Sequence, residues 1–201
     1  MPRKTKPYHH GDLYEALVAA GTKLLNQKGP QALTLRACAR AAGVSHAAPQ
    51  HHFGNVNGLL AEIAARGFER FVAQLDRYAS GASTPGERLE AMCRGYIDFA
   101  LANGAVYGLM FRQGSSGLKS PHLQTALIAA WKQLVSSVAQ VIGDAPQDEL
   151  NRKAAYVWSL THGLATLLLD RRFPAGLDQD GLIEATFKGL AAALKMETIP
   201  A

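Results

Sequence analysis

Thr34-Leu-Arg-Ala-Cys-Ala-Arg-Ala-Ala-Gly43-Val-Ser45-His-Ala-Ala-Pro49-Gln-His-His-Phe53 decides the fold, because it reads as two short helices around a tight Gly-Val-Ser turn. Thr34 can cap a first helix with its side-chain oxygen. Leu35, Cys38, Ala39 and Ala42 recur every three or four residues and so share one face of that helix. Gly43 ends it, since the residue just beyond a helix is often left-handed and glycine takes that conformation without a side-chain clash. Ser45 is placed to cap a second helix starting near His46. Pro49 would then fall inside that helix and remove its first hydrogen bond, which only a very short helix tolerates. The pair has the outline of a helix-turn-helix, in which one helix crosses a DNA backbone and the second enters the major groove.

Charge is concentrated at the same end. Residues 1–55 hold Arg3, Lys4, Lys6, Lys23, Lys28, Arg36 and Arg40 against Asp12 and Glu15, while the rest of the chain balances its acidic and basic side chains. The whole net charge of +5 therefore lies beside the candidate reading helix, as expected of an end that meets a polyanion. The N-terminal Met-Pro-Arg-Lys-Thr-Lys-Pro has no apolar run after it and reads as a basic arm, not a secretion signal. Cys38 and Cys93 are far apart and at apolar helical positions, so reduced thiols and a cytoplasmic location are expected.

Helical periodicity continues throughout, with no strand alternation, internal repeat or low-complexity tract, so the expected class is all-α. A first helix with Leu13, Leu17, Val18, Ala20, Leu24 and Leu25 ends at Gly29-Pro30. After the motif come a long helix from Asn55 to Tyr78, a linker at Gly81–Gly86, and a helix from Glu87 to Ala102. A short apolar segment, Val106 to Phe111, precedes a loop at Gly114-Ser-Ser-Gly117. Ser120-Pro121 starts a helix running to Ile142, and two more follow, at 148–171 and 180–195.

Those last two helices point to self-association. Ala154 to Leu169 lacks any charged residue and is apolar all round, yet is short for a bilayer crossing, so burial by protein on both sides is expected and no membrane contact. The final helix combines Leu182, Ile183, Phe187, Leu190 and Leu194 with small Gly189, Ala191, Ala192 and Ala193, which admit a close neighbour. A homodimer through 148–171 and 180–195 of each subunit is the expectation.

Three segments together carry a resemblance to the TetR family of transcriptional regulators. They are Tyr8-His-His-Gly-Asp-Leu13, the Gly43-Val44-Ser45 turn, and Ala48-Pro49-Gln50-His51-His52-Phe53. The run Trp158-Ser-Leu-Thr-His162-Gly163 resembles the Trp-His-Gly pattern of one subtype's C-terminal domain. The resemblance implies a helix-turn-helix DNA-binding domain with its basic arm over residues 1–55 and an effector-binding and dimerisation domain over 56–201. It implies a homodimer on a palindromic operator in double-stranded DNA, acting as a repressor that a small molecule releases. His52 and Phe53 match the family's structural pair, which anchors the reading helix against the first and fourth helices. Two positions depart from the pattern: Gln50 stands where an aromatic residue is usual, and Val56 where a lysine usually touches the backbone. Gln50 can still bond a phosphate or read adenine, whereas Val56 can do neither. They favour the alternative of a helical ligand- or protein-binding dimer with weak or lost DNA binding.

The residues expected to face DNA are Ser45, His46, Ala47, Gln50 and His51 in the groove, with Lys28, Thr34 and Arg36 on the backbone. Tyr96, Phe99, Tyr107, Met110, Phe111, Trp131, Trp158 and His162 are candidates for an apolar effector site with few polar groups. Without excess charge there, the effector is expected to be mainly apolar or aromatic. The expected pivot lies between the fourth helix and the segment Ala105 to Gln113, with Gly108 as the position whose enlargement disturbs induction. No cofactor or metal is expected: His9, His10, His46, His51 and His52 lack a cysteine or carboxylate at ligand spacing. Nor is an enzyme, since the Gly114–Gly117 loop lacks the strand-turn-helix of a nucleophile elbow and no phosphate loop or dinucleotide fingerprint occurs.

Overall fold

The computed structural model describes residues 10–111 and 118–196. The basic arm with Arg3, Lys4 and Lys6, and the loop Gly114–Gly117, lie outside the described residues. Every regular element among those described is helical: α1 (His10–Lys28), a 3-10 turn (Pro30–Ala32), α2 (Leu35–Ala42), α3 (Ala48–Phe53), α4 (Val56–Ala79), α5 (Pro85–Ala102), α6 (Gly104–Phe111), α7 (Pro121–Ile142), α8 (Gln147–Leu169), α9 (Gln179–Phe187) and α10 (Leu190–Lys195). The chain divides into two compact units, the first within Met1–Gly67 and Ala105–Gln124, the second within Phe68–Gly104 and Thr125–Ala201.

In the first unit α1 lays Leu17, Val18 and Leu25 into a core shared with Cys38 and Ala39 of α2 and with Leu59 and Ile63 of α4. The segment expected only as a short apolar stretch is a full helix, α6, which buries Val106, Tyr107, Leu109 and Met110. It approaches α4 closely at Gly67, where an added Cβ would sit 2.7 Å from Met110 Sδ and 2.9 Å from Val106 Cγ1. Gly108, by contrast, meets none of the described residues within 4 Å of the Cβ position, so among them the tight point between the two helices is Gly67 and not Gly108.

The second unit is organised by α5. Thr84 caps it and Glu87 reaches back to the Thr84 N–H, a complete capping box with Pro85 in the first turn. The helix buries Leu89, Met92, Cys93, Tyr96, Ile97, Phe99 and Ala100. Helix α8 buries Ala154, Val157, Thr161, Leu164, Ala165 and Leu168. Its other side is open, with Tyr156, Trp158 and Leu167 exposed, so burial on both sides does not occur within one chain. By length and composition α7 alone among the described helices is apolar enough to cross a bilayer. Its polar side chains are nevertheless used inside the unit: Gln133 donates to Asp76 Oδ1 at 2.6 Å and Ser137 to Met92 Sδ at 3.3 Å.

The final helix expected at 180–195 is broken in two. Gly189 sits in the left-handed region at φ 82° and separates α9 from α10. The break turns α10 onto the start of α5, where Ala191 packs so closely that a Cβ at Gly86 would lie 2.8 Å from its Cβ. The Gly189 N–H donates to Glu90 Oε1 at 3.1 Å, so the break is also tied to α5 by a hydrogen bond. Part of the small-residue stripe therefore serves packing within the chain.

Candidate nucleic-acid interface and effector core

Helix α2 forms as its sequence dictates. Thr34 Oγ1 accepts from the Ala37 N–H at 3.1 Å, and Gly43 closes the helix at φ 70°, ψ 31°. The second helix differs from expectation. Ser45 makes no side-chain cap; its carbonyl accepts the Ala48 N–H at 3.2 Å, and α3 starts at Ala48 after the turn His46-Ala47. Pro49 consequently falls in the first turn of α3 instead of its interior. An N–H has no helical partner there, so proline removes nothing and its fixed φ suits the start. The two-residue shift in helix onset thus removes the cost that the sequence alone assigned to Pro49.

Lys28, Thr34, Arg36, Ser45, His46, Ala47, Gln50 and His51 are all exposed, and Val56 is half-buried. Within α3 Gln50 and His51 face out, while His52 and Phe53 are half-buried. Tyr14 of α1 holds both inward rings, with centroids 5.0 Å from Phe53 and 5.8 Å from His52. Six residues are too few to hold a helix in water unaided, so α3 depends on these contacts and on buried Pro49.

Behind Tyr14 lies a buried carboxylate that the sequence did not reveal. Glu62 of α4 is only 6% exposed; it accepts from Arg66 Nε at 2.7 Å and pairs with His122 Nδ1 at 2.9 Å. Arg66 turns its remaining nitrogens onto both oxygens of Glu15, at 2.5 and 2.6 Å, and lies over the Tyr14 ring. Burial pushes the Glu62 carboxyl up, but the bonds from Arg66 and His122 outweigh it and hold the group below the ordinary carboxylate value. Burial, and then the nearby Glu62 carboxylate, push the Tyr14 phenol up to about 12. Only the Glu62–Arg66 spacing of four residues was visible in sequence; Tyr14 and His122 come from distant helices.

The effector candidates separate into two groups. Tyr107, Met110 and Phe111 belong to α6 in the first unit, with Tyr107 fully buried and its ring 4.9 Å from Phe111. Tyr96, Phe99, Trp131, Trp158 and His162 belong to the second unit, where an aromatic line connects them. Trp131 meets Trp158 at 6.3 Å, Trp158 meets His162 at 6.1 Å, and His162 Nδ1 shares a 2.8 Å hydrogen bond with the Tyr96 hydroxyl. Phe71 of α4 continues the line by meeting Tyr96 at 4.9 Å and Phe99 at 5.3 Å. Trp131 and Trp158 are exposed at one end and Phe99 is buried at the other, so the line runs from surface to core. Burial pushes the Cys93 thiol up to about 12 and raises that of Cys38, so neither offers a thiolate near neutrality. Among the described residues no three His, Cys, Asp or Glu side chains are grouped to hold a metal.

The chain matches two family models: bacterial regulatory proteins of the tetR family over residues 17–63, and the tetracyclin repressor-like C-terminal domain over 89–190. Among solved structures it is similar to a protein of unknown function from Rhodococcus sp. RHA1, with 33% identity over 96% of this chain and 100% of that one, at a TM-score of 0.82. The fold is shared with the fatty acid degradation regulator FadR from Bacillus halodurans, at 17% identity, covering 97% and 100% of the two chains with a TM-score of 0.69. It is shared also with the TetR family transcriptional regulator PfmR from Thermus thermophilus, at 18% identity, 88% and 97% coverage and a TM-score of 0.62. No curated protein matches the chain in sequence.

Proposed function

The chain belongs to the TetR family of DNA-binding transcriptional regulators, which are not enzymes, and from that premise we propose that it is a ligand-released repressor acting on a palindromic operator. The observation that carries this reading is the division of α3, with Gln50 and His51 turned to solvent and His52 and Phe53 held on Tyr14. A short helix stabilised only on one side has its polar side free to enter a groove. Ser45, His46, Ala47, Gln50 and His51 then read the groove, and Lys28, Thr34 and Arg36 fix the backbone. We assign the DNA-binding role to residues 1–55, the effector and dimerisation role to 56–201, the Trp158–Gly163 run to the Trp-His-Gly subtype, and the site of action to the cytoplasm.

The homodimer would form through 148–171 and 180–195, supported by the open side of α8 with Tyr156, Trp158 and Leu167. A mainly apolar or aromatic effector suits the line from Trp131 to Phe99, where Tyr96 and His162 supply the polar contacts. Release requires an effector that binds one state better than the other. The α4–α6 contact at Gly67 is where a shift in α6 would first press on α4. The alternative, a helical ligand- or protein-binding dimer with weak or lost DNA binding, is favoured by the uncharged Val56.

Sequencing the genomic fragments retained by the purified protein at about 150 mM salt decides between them. Recovery of a palindrome supports the repressor; retention without preference supports the alternative. With a palindrome in hand, Gln50→Ala should relax preference at one base position and cost about 1–3 kcal/mol. Lys28→Ala should weaken all sequences alike and reduce the salt slope by about one.

A further inference from the structure

Given α3 as the groove helix, we infer that Gly58 is a positioning residue for DNA recognition: the last carbonyl of α3 occupies the place where a side chain at 58 would stand, and that contact sets the tilt of the reading helix. A Cβ at Gly58 would lie 2.1 Å from the Phe53 carbonyl oxygen and 3.1 Å from its carbon. Both are backbone atoms, so no side-chain rotation relieves the overlap. Gly58 stands in the first turn of α4, where glycine is among the poorest helix formers. What its missing side chain provides is the close approach of α3.

The corner between the two helices is held from both sides. Gly54 turns the chain at φ 69°, ψ −52°, and the Phe53 carbonyl accepts the Asn55 N–H at 2.7 Å. Asn55 Oδ1 then accepts the Gly58 N–H at 3.1 Å, which caps α4 and keeps Gly58 against that carbonyl. Phe53 is thus anchored to α1 by its ring, 5.0 Å from Tyr14, and to α4 by its backbone. Of the two helices α4 is the fixed one: it buries Leu59 and Ile63 within its first two turns, whereas α3 has six residues and no side-chain cap. A methyl group at 58 therefore displaces α3. Reaching a tolerable C···O separation of about 3.3 Å moves the Phe53 carbonyl by about 1 Å. Over a six-residue helix, about 9 Å long, that is a tilt of roughly 6°. The tilt falls on Gln50 and His51, whose base contacts depend on hydrogen-bond direction. Lys28, Thr34 and Arg36 lie outside α3 and keep the phosphate contacts proposed for them. Gly58 accordingly acts on sequence preference more than on affinity for DNA at large.

Two readouts on the full chain test this. One is amide hydrogen exchange, read by mass spectrometry for peptides covering 48–54, 59–66 and 92–99. The other is fluorescence anisotropy with the palindrome recovered from genomic fragments and with a scrambled duplex of the same composition. Gly58→Ala should speed exchange in α3 by about three- to tenfold and leave the α4 and α5 peptides within about twofold. Its affinity should fall by about tenfold or more for the palindrome and by less than about threefold for the scrambled duplex. Gly108→Ala, at a helical glycine whose Cβ meets none of the described residues within 4 Å, should leave both readouts within about twofold. Asn55→Ala adds no volume and only frees the Gly58 N–H; it should speed α3 exchange by about two- to threefold, which keeps the corner testable if Gly58→Ala does not fold. Unchanged or slower α3 exchange in Gly58→Ala, an equal loss on both duplexes, or unchanged α3 exchange in Asn55→Ala would each overturn the proposal. A native chain without preference for any duplex would overturn the regulator reading and the role in recognition with it, while exchange judges the corner without DNA.

Discussion

Helix α3 is six residues long, starts without a side-chain cap and turns its middle residues Gln50 and His51 to solvent, whereas α5 is 18 residues long, starts on a complete capping box and buries residues from Leu89 to Ala100. The first is held in place by its neighbours; the second largely determines where its neighbours go. A helix of one and a half turns cannot offset its own nucleation cost, so its position is set by what packs on it: α2, Tyr14 of α1 and the burial of Pro49. Such an element can be moved by small changes elsewhere, which would suit the engagement and release of DNA proposed for it. α5 has the opposite properties, and the aromatic line through Tyr96 and Phe99 is accordingly mounted on it.

The sharpest way to separate the two is to remove one ring from each. Phe99 is 2% exposed and packed against Phe71, so Phe99→Ala should cost about 3–5 kcal/mol in urea unfolding. Phe53→Ala should cost clearly less, because the ring is half-buried, yet it should reduce DNA affinity more than Phe99→Ala does at equal folded fraction. Equal stability losses would break the comparison.

Glycines grade the α4–α6 contact. Gly67→Ala places a Cβ under 3 Å from Met110 and Val106 and should destabilise by about 1–3 kcal/mol, lowered by whatever Met110 can yield. Gly108→Ala meets none of the described residues and should stabilise by about 0.5–1 kcal/mol through helix propensity. Thermal unfolding of both variants checks the sign.

Caps give a smaller contrast. Thr84→Ala breaks the α5 capping box and should cost about 1 kcal/mol. Ser45→Ala should change stability by less than about 0.5 kcal/mol, since Ser45 supplies only its carbonyl to α3. A loss from Ser45→Ala as large as that from Thr84→Ala would mean that α3 is capped in solution as its sequence suggests.

The acid response should be the mildest signature. Glu62 and Glu15 both have folded values below the ordinary 4.5, so their ionised forms stabilise the fold above that pH. That contribution is lost as pH falls through the lowered values. Urea unfolding followed from pH 6 down to pH 3 should show a shallower acid decline for Glu62→Gln than for the native chain.

Much of this was legible in the sequence. Helical spacing, Thr34 and Gly43 placed α2 to the residue, and Ser120-Pro121 placed the start of α7, because these signals act within one turn of backbone. Ser45 misled about the start of α3, since a serine after a turn reads as a cap whether or not its oxygen finds a free N–H. Gly189 looked like a small residue for helix contact and is instead a left-handed break that turns Ala191 onto Gly86.

By itself the sequence determined the all-helical class, the helix-turn-helix and the exposed polar residues of the reading helix, because periodicity, caps and turn glycines are local and each residue carries its own preference. Tertiary structure alone decided that Pro49 is harmless, that Gly67 and not Gly108 is the close contact, and that Glu62 and His122 meet. Those outcomes depend on which distant side chains share one small volume, and a buried carboxylate announces its donors only when helices far apart in sequence are packed together.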